Sequence, residues 1–179
     1  MKDEYIIVLD FLSRGHADSR RAEPIAQGIG NIFLSLLEVV IKPEVVVKPG
    51  DLLYIGEKKR DHVKYVKGRI KYDDLTGYAK KELEDVIEKI IEQNEKKFVD
   101  FFNIAGPVST RLHSLELLPG IGKKHMWAII GKRRDKNFES FEDLKNRVDM
   151  LPDPKRMIKR RIIDELKEKD RHRLFVVAR

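Results

Sequence analysis

The spacing of the apolar residues changes once along this chain, at Asp73–Gly77, and that change limits the fold more than any other feature. Before it, β-branched and apolar residues come in short runs separated by glycine, proline and charged residues, as in strands joined by turns. After it, apolar residues recur every three or four positions, as on one face of a helix. The pattern predicts an α+β protein with a sheet in its first part and a helical bundle in its second.

The first part is predicted to be a small antiparallel barrel. Its strands are short and separated by turn residues, and the crossover helices that parallel strands need are not evident. We predict an OB-like (oligonucleotide-binding-like) β-barrel over residues 1–75, although an SH3-like barrel gives the same pattern. Gly28–Gly30 is interpreted as a turn. The predicted strands are Tyr5–Leu12, Phe33–Ile41, Val45–Val47, Leu52–Ile55 and Val63–Ile70.

The second part divides at proline and glycine. Residues 76–105 are predicted to form one connecting amphipathic helix, or two that meet near Asn94. A helical module follows over residues 106–170, with Pro107 or Ser109 beginning its first helix. Residues 171–179 are predicted to be a strand that returns to the sheet. Two further helices are predicted, one from Ser140 as N-cap to about Val148, the other from Asp153 as N-cap, with Pro154 first, to about Lys167.

The segment Leu118-Pro-Gly-Ile-Gly122 is the strongest candidate for a binding site. Pro119 stops the preceding helix, and two glycines allow a tight turn that another backbone can approach closely. Ile121 between them can plug the helical core. The helix after the turn begins with unpaired N–H groups, which attract anions. Lys123 and Lys124 oppose the helix dipole at that position and therefore indicate an external negative partner.

This segment resembles the helix-hairpin-helix family, which matches it at Leu118 to Gly122. The resemblance implies sequence-independent binding of a nucleic-acid backbone by the amides of Gly120, Ile121 and Gly122, helped by Lys123 and Lys124. It also implies a monovalent cation, K⁺ or Na⁺, on the main-chain carbonyls of Glu116, Leu118 and Ile121. Leu151–Pro154 is interpreted as a degenerate second hairpin that lacks both glycines and binds phosphate poorly. The alternative is a helical hairpin used only for packing or protein contact.

The charge of the chain favours a polyanionic partner. The sequence has 37 Lys and Arg against 30 Asp and Glu, a formal net charge of +7. Such a surface binds polyanions or carries many ion pairs. Basic residues near Tyr65 suggest a groove for a single strand, although a solvated strand face would show the same residues. The basic binding candidates are Lys58, Lys59 and Arg60, then Lys155, Arg156 and Lys159, with Arg14, Arg20 and Arg21 in an earlier loop.

Several classes of protein are disfavoured by the composition. The absence of cysteine excludes disulfides, thiolate metal sites and cysteine nucleophiles. The five histidines are scattered, and neither a phosphate-binding loop nor a catalytic constellation is present. No apolar run would span a bilayer and no signal peptide is evident, so we expect a cytoplasmic, noncatalytic protein without a cofactor. Trp127 is predicted to lie in the core, the alternative being an exposed stacking surface.

Over its full length the chain resembles an archaeal family known as domain of unknown function 655, which is predicted to bind RNA. The resemblance implies an OB-like front half and a helix-hairpin-helix back half. The predicted function is therefore noncatalytic, largely sequence-independent nucleic-acid binding, with RNA slightly preferred over DNA. The alternative is a protein-interaction adaptor in transcription or ribosome assembly. The resemblance depends on Tyr5–Phe11, Glu23–Gln27, Leu37–Val40, Tyr54–Gly56, Arg69–Tyr72, Phe101–Asn103 and Gly106–Trp127.

Overall fold

The computed structural model describes residues 3–17 and 22–177, and the chain divides into two compact units. The first unit contains the residues up to 86 together with those from 165 onward, and the second contains residues 87–164. Strands belong to the first unit and most of the helices to the second. The predicted α+β class is confirmed.

The first unit is built on a curled, five-stranded antiparallel sheet that forms a half-barrel. The strand order is β4-β1-β2-β3-β5, and within the described residues no ladder joins the two edge strands, β4 and β5. Apolar side chains of all five strands form one core cluster on one face, including Ile6, Ala26 and Val39. The strands are β1 Tyr5–Leu12, β2 Ile25–Gly30, β3 Leu36–Ile41, β4 Leu52–Tyr54 and β5 Val63–Arg69.

Strand β2 corrects the interpretation of Gly28–Gly30 as a turn. Every residue of β2 is buried, and the strand pairs with both β1 and β3. A Cβ on Gly28 would come within 2.9 Å of the Ile7 carbonyl oxygen, and one on Gly30 would overlap the carboxylate of Asp3. The glycines are therefore required by close packing against neighbouring chain, which sequence patterns do not separate from a turn.

The predicted strand Val45–Val47 is wrong. Glu44 has a φ of 67°, which breaks an extended backbone, and the segment that follows is a loop without ladder hydrogen bonds. Val47 is buried in the sheet core while Val46 is 81% exposed. The loop therefore contributes one apolar anchor to the half-barrel without joining the sheet.

A buried polar network links the sheet to the first helix within this unit. The side-chain amide of Gln27 donates to Glu38 and to the main-chain oxygen of Asp74, each at 3.0 Å, and its oxygen accepts from the N–H of Thr76 at 2.9 Å. Glu38 also accepts from His16 at 2.6 Å and Lys67 at 3.0 Å. Burial opposes its charge, but the hydrogen bonds from Gln27, Lys67 and His16 hold its pKa below the ordinary value.

Five α-helices follow, and three of the predicted boundaries are confirmed. Two helices meet at Asn94, Ser140 accepts a hydrogen bond from the N–H of Asp143 at 3.0 Å, and the last helix starts at Pro154 after Asp153. Charged residues occupy the solvent face of each helix, as the spacing predicts. The helices are α1 Gly77–Gln93, α2 Glu95–Ile104, α3 Lys123–Asp135, α4 Phe141–Arg147 and α5 Pro154–Leu166.

The helix predicted to begin at Pro107 or Ser109 is not formed. Strands β6 Pro107–Ser109 and β7 Leu112–His113 make a short hairpin there. Between α2 and the Leu118–Gly122 turn, the only helical structure is one 3₁₀ turn, Ser114–Leu117. The β-branched and turn residues of this stretch favour the hairpin, a preference that the helical spacing of Leu115 and Leu118 obscured.

The predicted C-terminal strand is also wrong over the described residues 171–177. Three successive N–H groups, those of Leu174, Phe175 and Val176, donate to the buried carboxylate of Glu165 at 2.8, 3.0 and 2.9 Å. Successive amides of a strand alternate in direction and do not converge on one acceptor. Only the N–H of Val177 bonds to the sheet unit's main chain, at the oxygen of Phe33. Ala178, also predicted to be in this strand, lies outside the described residues.

Candidate functional site

The Leu118–Gly122 turn is a tightly folded connection between the 3₁₀ turn and α3. The N–H of Ile121 donates to the carbonyl of Leu118 at 3.1 Å. Gly120 has a φ of 88°, a conformation that residues with a side chain adopt only with strain. Ile121 is 6% exposed and fills the space beneath the turn, as its position between two glycines predicted.

Helix α3 begins with three main-chain donors open to solvent. No hydrogen bond within the described residues uses the N–H of Gly122, Lys123, Lys124 or His125, and the first helical bond runs from Met126 to the oxygen of Gly122 at 3.0 Å. The first three of these residues are exposed, and a Cβ at Gly122 would have no atom within 4 Å, so the space beside Gly122 is open. The N–H of Ile121, predicted as a donor, is already engaged. Of the predicted donors, Gly122 is therefore free as expected, and the free N–H groups continue beyond it into the first turn of α3.

The two lysines of the first turn differ in their surroundings. The Nζ of Lys123 lies 3.0 Å from the carboxylate of Glu116. Hydrogen bonds from Lys123 and from the N–H of His113 hold the pKa of Glu116 below its ordinary value. Lys124 is exposed, and no side chain of the described residues pairs with it. Lys124 is therefore the cation that is available to an incoming anion.

The side chains of His113 and Glu116 cap the start of the 3₁₀ turn that precedes the Leu118–Gly122 turn. The Nδ1 of His113 accepts from the N–H of Leu115 at 3.1 Å, and Glu116 accepts from the N–H of His113 at 3.0 Å. Burial and the nearby charge of Arg133 lower the pKa of His113 below its ordinary value. The histidine is thus kept neutral, which its role as an acceptor requires.

The Leu118–Gly122 turn is called the first hairpin below. A second hairpin, which joins α4 to α5, repeats its main-chain hydrogen bond. The N–H of Leu151 donates to the carbonyl of Val148 at 3.4 Å, Met150 has a φ of 55°, and Leu151 is buried. These three residues correspond to Leu118, Gly120 and Ile121 of the first hairpin. Because one residue, Pro152, is inserted before the helix, Asp153 takes the place of Gly122. The structure thus matches Val148–Leu151, not the predicted Leu151–Pro154, to the first turn.

The second hairpin offers little to an anion. Pro154, the first residue of α5, has no N–H. The N–H of Arg156 donates to the carboxylate of Asp153 at 3.3 Å, and that carboxylate places a negative charge at the helix start. The predicted degeneracy of this copy therefore has a physical basis in both the missing donor and the added charge.

The two hairpins lie against each other within the second unit. A Cβ at Gly120 would be 3.2 Å from the Cγ of Pro152. Arg161 of α5 is buried and donates to the carbonyl of Leu117 at 3.2 Å, just before the first hairpin. Gly120 is thus constrained twice, by its backbone conformation and by its contact with the second turn.

The predicted basic residues of α5 are mostly engaged in ion pairs. Lys155 lies 2.7 Å from Glu92, and Lys159 lies 2.7 Å from Glu88. Arg156 is exposed. The three basic residues line a cavity of about 200 Å³ together with Glu88 and Asp153, so it carries both signs of charge. Of the three, only Arg156 has no ion pair within the described residues.

The remaining predicted residues lie in the first unit. Lys58, Lys59 and Arg60 follow β4, and Arg60 donates to the carbonyl of Gly56 at 2.8 Å. Lys58 and Arg60 line a cavity of about 690 Å³ with Tyr54. In contrast, the basic residues flanking Tyr65 are neutralised, because Lys64 pairs with Glu23 and Lys67 with Glu38, each at 3.0 Å. Arg14 is exposed, while Arg20 and Arg21 lie outside the described residues.

Trp127 is 62% exposed, so the prediction that it lies in the core is wrong. Met126 and Ile129 form the buried stripe of α3, and Trp127 lies about 100° around the helix from Met126. The opposite face carries Lys124, Trp127, Gly131 and Arg134, all exposed. The signal was present in the sequence, because position 127 does not belong to the spacing of Met126, Ile129 and Ile130.

Comparison with known proteins identifies the family. The family model described as "Protein of unknown function (DUF655)" matches residues 2–177. The chain belongs to the DUF655 family. The crystal structure of Af1531 from Archaeoglobus fulgidus, which carries the DUF655 label, is 47% identical to this chain and superposes with a TM-score of 0.87. The alignment covers 98% of this chain and 100% of the Af1531 chain. The curated relative "Uncharacterized protein MJ0038" of Methanocaldococcus jannaschii is 45% identical, and the alignment covers 97% of this chain and 80% of the length of that relative.

Neither a carboxylate or histidine metal cluster nor a membrane-spanning helix occurs in residues 3–17 and 22–177 of this DUF655 member. In those residues, no three side chains of His, Cys, Asp or Glu converge as a metal site of such ligands requires. Within the same ranges, none of the helices has the length and apolar character needed to cross a bilayer. The family resemblance noted from the sequence is thus confirmed, and the hairpin at Leu118–Gly122 is the strongest local feature from which a function can be argued.

Proposed function

We propose that this protein binds the backbone of nucleic acids, largely without regard to sequence and without catalysing a reaction. The observation that carries the proposal is the set of free N–H groups at Gly122, Lys123 and Lys124, next to an unpaired lysine side chain. Successive amides at a helix start bind phosphate oxygens, and the helix dipole adds to the attraction. Since phosphates carry no sequence information, binding of this kind discriminates little between sequences.

A monovalent cation fits this hairpin by the chemistry of its donors. Main-chain carbonyl oxygens are the hard ligands that such ions prefer, and the carbonyl of Leu118 accepts only one hydrogen bond, from Ile121. The carbonyls of Glu116, Leu118 and Ile121 would hold the ion. When bound, it would supply positive charge between the hairpin and a phosphate.

The first unit is proposed to hold a single-stranded part of the same molecule, in the manner of an OB-like barrel. The curled sheet, the exposed Lys59 and the cavity lined by Lys58, Arg60 and Tyr54 support this part of the proposal. Basic residues beside an aromatic ring are what a single-strand groove uses. RNA is slightly preferred over DNA, because structured RNA offers both a backbone to clamp and exposed loops.

The test is a charge reversal of Lys124, which has no internal partner to disturb. We expect Lys124→Glu to weaken binding of single-stranded RNA, duplex RNA and duplex DNA by similar factors, about three- to tenfold. The wild-type log affinity should fall linearly with log salt, with a slope of about −0.7 to −0.9 per phosphate neutralised, and the slope should be smaller for the variant. Fluorescence anisotropy of labelled oligonucleotides at several salt concentrations measures both.

Lys145→Glu is the matched control, since Lys145 is exposed on α4 and makes the same change of net charge. Equal weakening by the two variants would mean that only overall charge matters, and the hairpin assignment would be lost. No effect of Lys124→Glu on any polymer would also contradict it.

The alternative, a protein-interaction adaptor, is favoured by the exposed apolar residues of the second unit. Met150 is 88% exposed and Ile104 is 80% exposed, and nothing in their own packing accounts for this. An adaptor is expected to capture its partner in high salt and to bind free polynucleotides weakly. The salt titration therefore separates the two functions.

A further inference from the structure

We infer that the exposed face of α3 is a stacking platform for an unpaired base, so that the hairpin binds single-stranded nucleic acid in preference to a continuous duplex. The inference rests on the proposed function and names the form of its partner. Its central residue is Trp127, the only tryptophan of the chain. Trp127 is 62% exposed as a residue, although tryptophan is among the residues that gain most from burial.

The direction of helical side chains brings this ring toward the free amides. Side chains in an α-helix lean toward its N-terminus and lie over the preceding turn. The side chain of Trp127 is therefore directed to the turn of Lys123 and Lys124, where the unpaired N–H groups lie. A nucleotide whose phosphate is bound at the helix start has its base on this side of the helix.

Gly131 leaves the other side of the ring uncovered. It lies four residues after Trp127, the position whose side chain would otherwise cover the ring. A Cβ at Gly131 would have no neighbour within 4 Å, and its φ is not in the left-handed region, so neither packing nor backbone conformation requires glycine there. A glycine inside a helix weakens it relative to alanine. Open space beside the ring is the property that this glycine supplies.

The charges around Trp127 identify the occupant. Lys124 lies three residues before the ring and Arg134 seven residues after it, both exposed on the same face. An apolar protein segment would gain nothing from these cations, whereas the phosphates on either side of a stacked base would meet one at each end. Aromatic rings alternating with cations are the surface that binds single strands without sequence preference.

A continuous duplex fits this surface poorly. Its bases are stacked on one another and paired, so the ring could reach one only after unstacking it. Loops, bulges and single-stranded ends present bases that are already free. The platform therefore selects unpaired regions of RNA or DNA, while the hairpin amides accept the phosphates of either.

The experiment uses the full chain and its own fluorescence. We expect oligothymidylate and oligouridylate to quench the emission of Trp127, and an abasic oligomer of the same length and charge to quench it far less. Trp127→Ala should weaken binding of the base-bearing strands about 5- to 100-fold, measured by anisotropy of labelled strands, with little change for the abasic oligomer. Trp127→Phe should restore part of the lost affinity.

A second variant guards against a loss of folding. Gly131→Leu fills the gap beside the ring and should weaken binding of base-bearing strands, while its thermal unfolding midpoint stays at or above that of the wild type because leucine favours helix. Asn146→Leu places the same leucine side chain on the exposed face of α4 and should leave binding unchanged. Equal binding and quenching by abasic and base-bearing strands would overturn the platform and leave the backbone clamp standing. Absence of binding to every oligomer would instead remove the proposed function itself.

Discussion

The first hairpin, Leu118–Gly122, is open to a ligand because it lacks a side chain that caps the following helix. Gly122 has no side chain to cap α3, so three donors stay open. At the second hairpin Asp153 occupies the equivalent place and satisfies a donor itself. Capping a helix start and binding an external anion there are competing uses of the same N–H groups. Because glycine is itself a tolerated N-cap, the missing cap costs the first hairpin only about a few tenths of a kcal/mol of stability.

His113 gives the hairpin a pH dependence. Its folded pKa is lowered, by burial and by Arg133, below the ordinary value of 6.5. The neutral form therefore stabilises the fold above pH 6.5, and this contribution is lost as the pH falls through the folded pKa, because a protonated Nδ1 cannot accept from Leu115. We expect the free energy of unfolding to drop by roughly 0.5–1 kcal/mol over that range from this group.

The matched variant is His113→Asn, whose side-chain oxygen can accept the same bond and does not titrate. Denaturant titrations of both proteins between neutral and mildly acidic pH measure the difference. If the variant lost as much stability on acidification as the wild type, His113 would not be the group responsible.

For single residues, the sequence predicted which side chains plug a turn or cap a helix better than it predicted which side chains pair with each other. The buried plug at Ile121 and the cap at Ser140 were evident from spacing alone. The pairing of Lys123 with Glu116, seven positions apart, was not, because it depends on the turn that folds one over the other. Trp127 was misplaced because its size outweighed its position off the apolar stripe.

At the scale of elements, the second unit contains two hairpins that share a backbone geometry but differ in the charge and the free N–H groups at the start of the following helix. They share a left-handed residue, a buried apolar plug and one main-chain hydrogen bond. They differ in the residues that begin the following helix. The shape of both hairpins therefore comes from the plug and the turn, while the anion affinity that we propose for the first hairpin depends on the start of the following helix.

This separation predicts that binding can be added to the second hairpin. The double variant Asp153→Gly with Pro154→Ala removes the negative charge and restores an N–H at the first position of α5. We expect backbone affinity to rise about threefold to tenfold, and the free energy of unfolding to fall by about a few tenths of a kcal/mol with the lost cap. Anisotropy titrations and thermal unfolding measure the two effects. Unchanged affinity would show that the second turn does not face the bound strand.

The helices were the elements best predicted, since their apolar residues recur at helical spacing and residues such as Ser140 and Asp153 mark where some of them begin. The errors concern short segments. The β6–β7 hairpin and the single 3₁₀ turn replaced a helix because a few residues carry too little periodicity to decide between them. Strand β2 was missed because its glycines are set by the close approach of β1 and Asp3, a property of the assembled sheet.

For the whole molecule, the two units carry separate candidates for contact with one strand. The hairpin and Trp127 belong to the second unit, and Lys58, Lys59 and Arg60 to the first. Two weak sites on one chain bind a common strand more tightly than either alone once the strand reaches both. The net charge of +7 adds attraction that does not depend on either site.

We therefore expect affinity to rise steeply above a threshold length of single strand. Below that length Lys124→Glu should weaken binding while Lys58→Glu with Lys59→Glu has little effect, and above it both should weaken binding. Anisotropy with a series of oligouridylates of increasing length measures this at constant salt. A gradual rise with length, shared equally by both variants, would contradict the use of two sites.

The amide of Gln27 has a consequence for how the chain assembles. It holds Glu38 of the sheet on one side and the main chain of Asp74 and Thr76, just before α1, on the other. A slip of that helix by a single turn would break the hydrogen bonds from Gln27 to Asp74 and Thr76 and leave polar atoms of the buried Gln27 side chain without those partners, at a cost of about 1–3 kcal/mol each. Neighbouring apolar contacts would tolerate such a slip far better, since one aliphatic surface resembles the next. The hydrogen bonds of Gln27 thus favour a single position of α1 along the sheet as the chain folds.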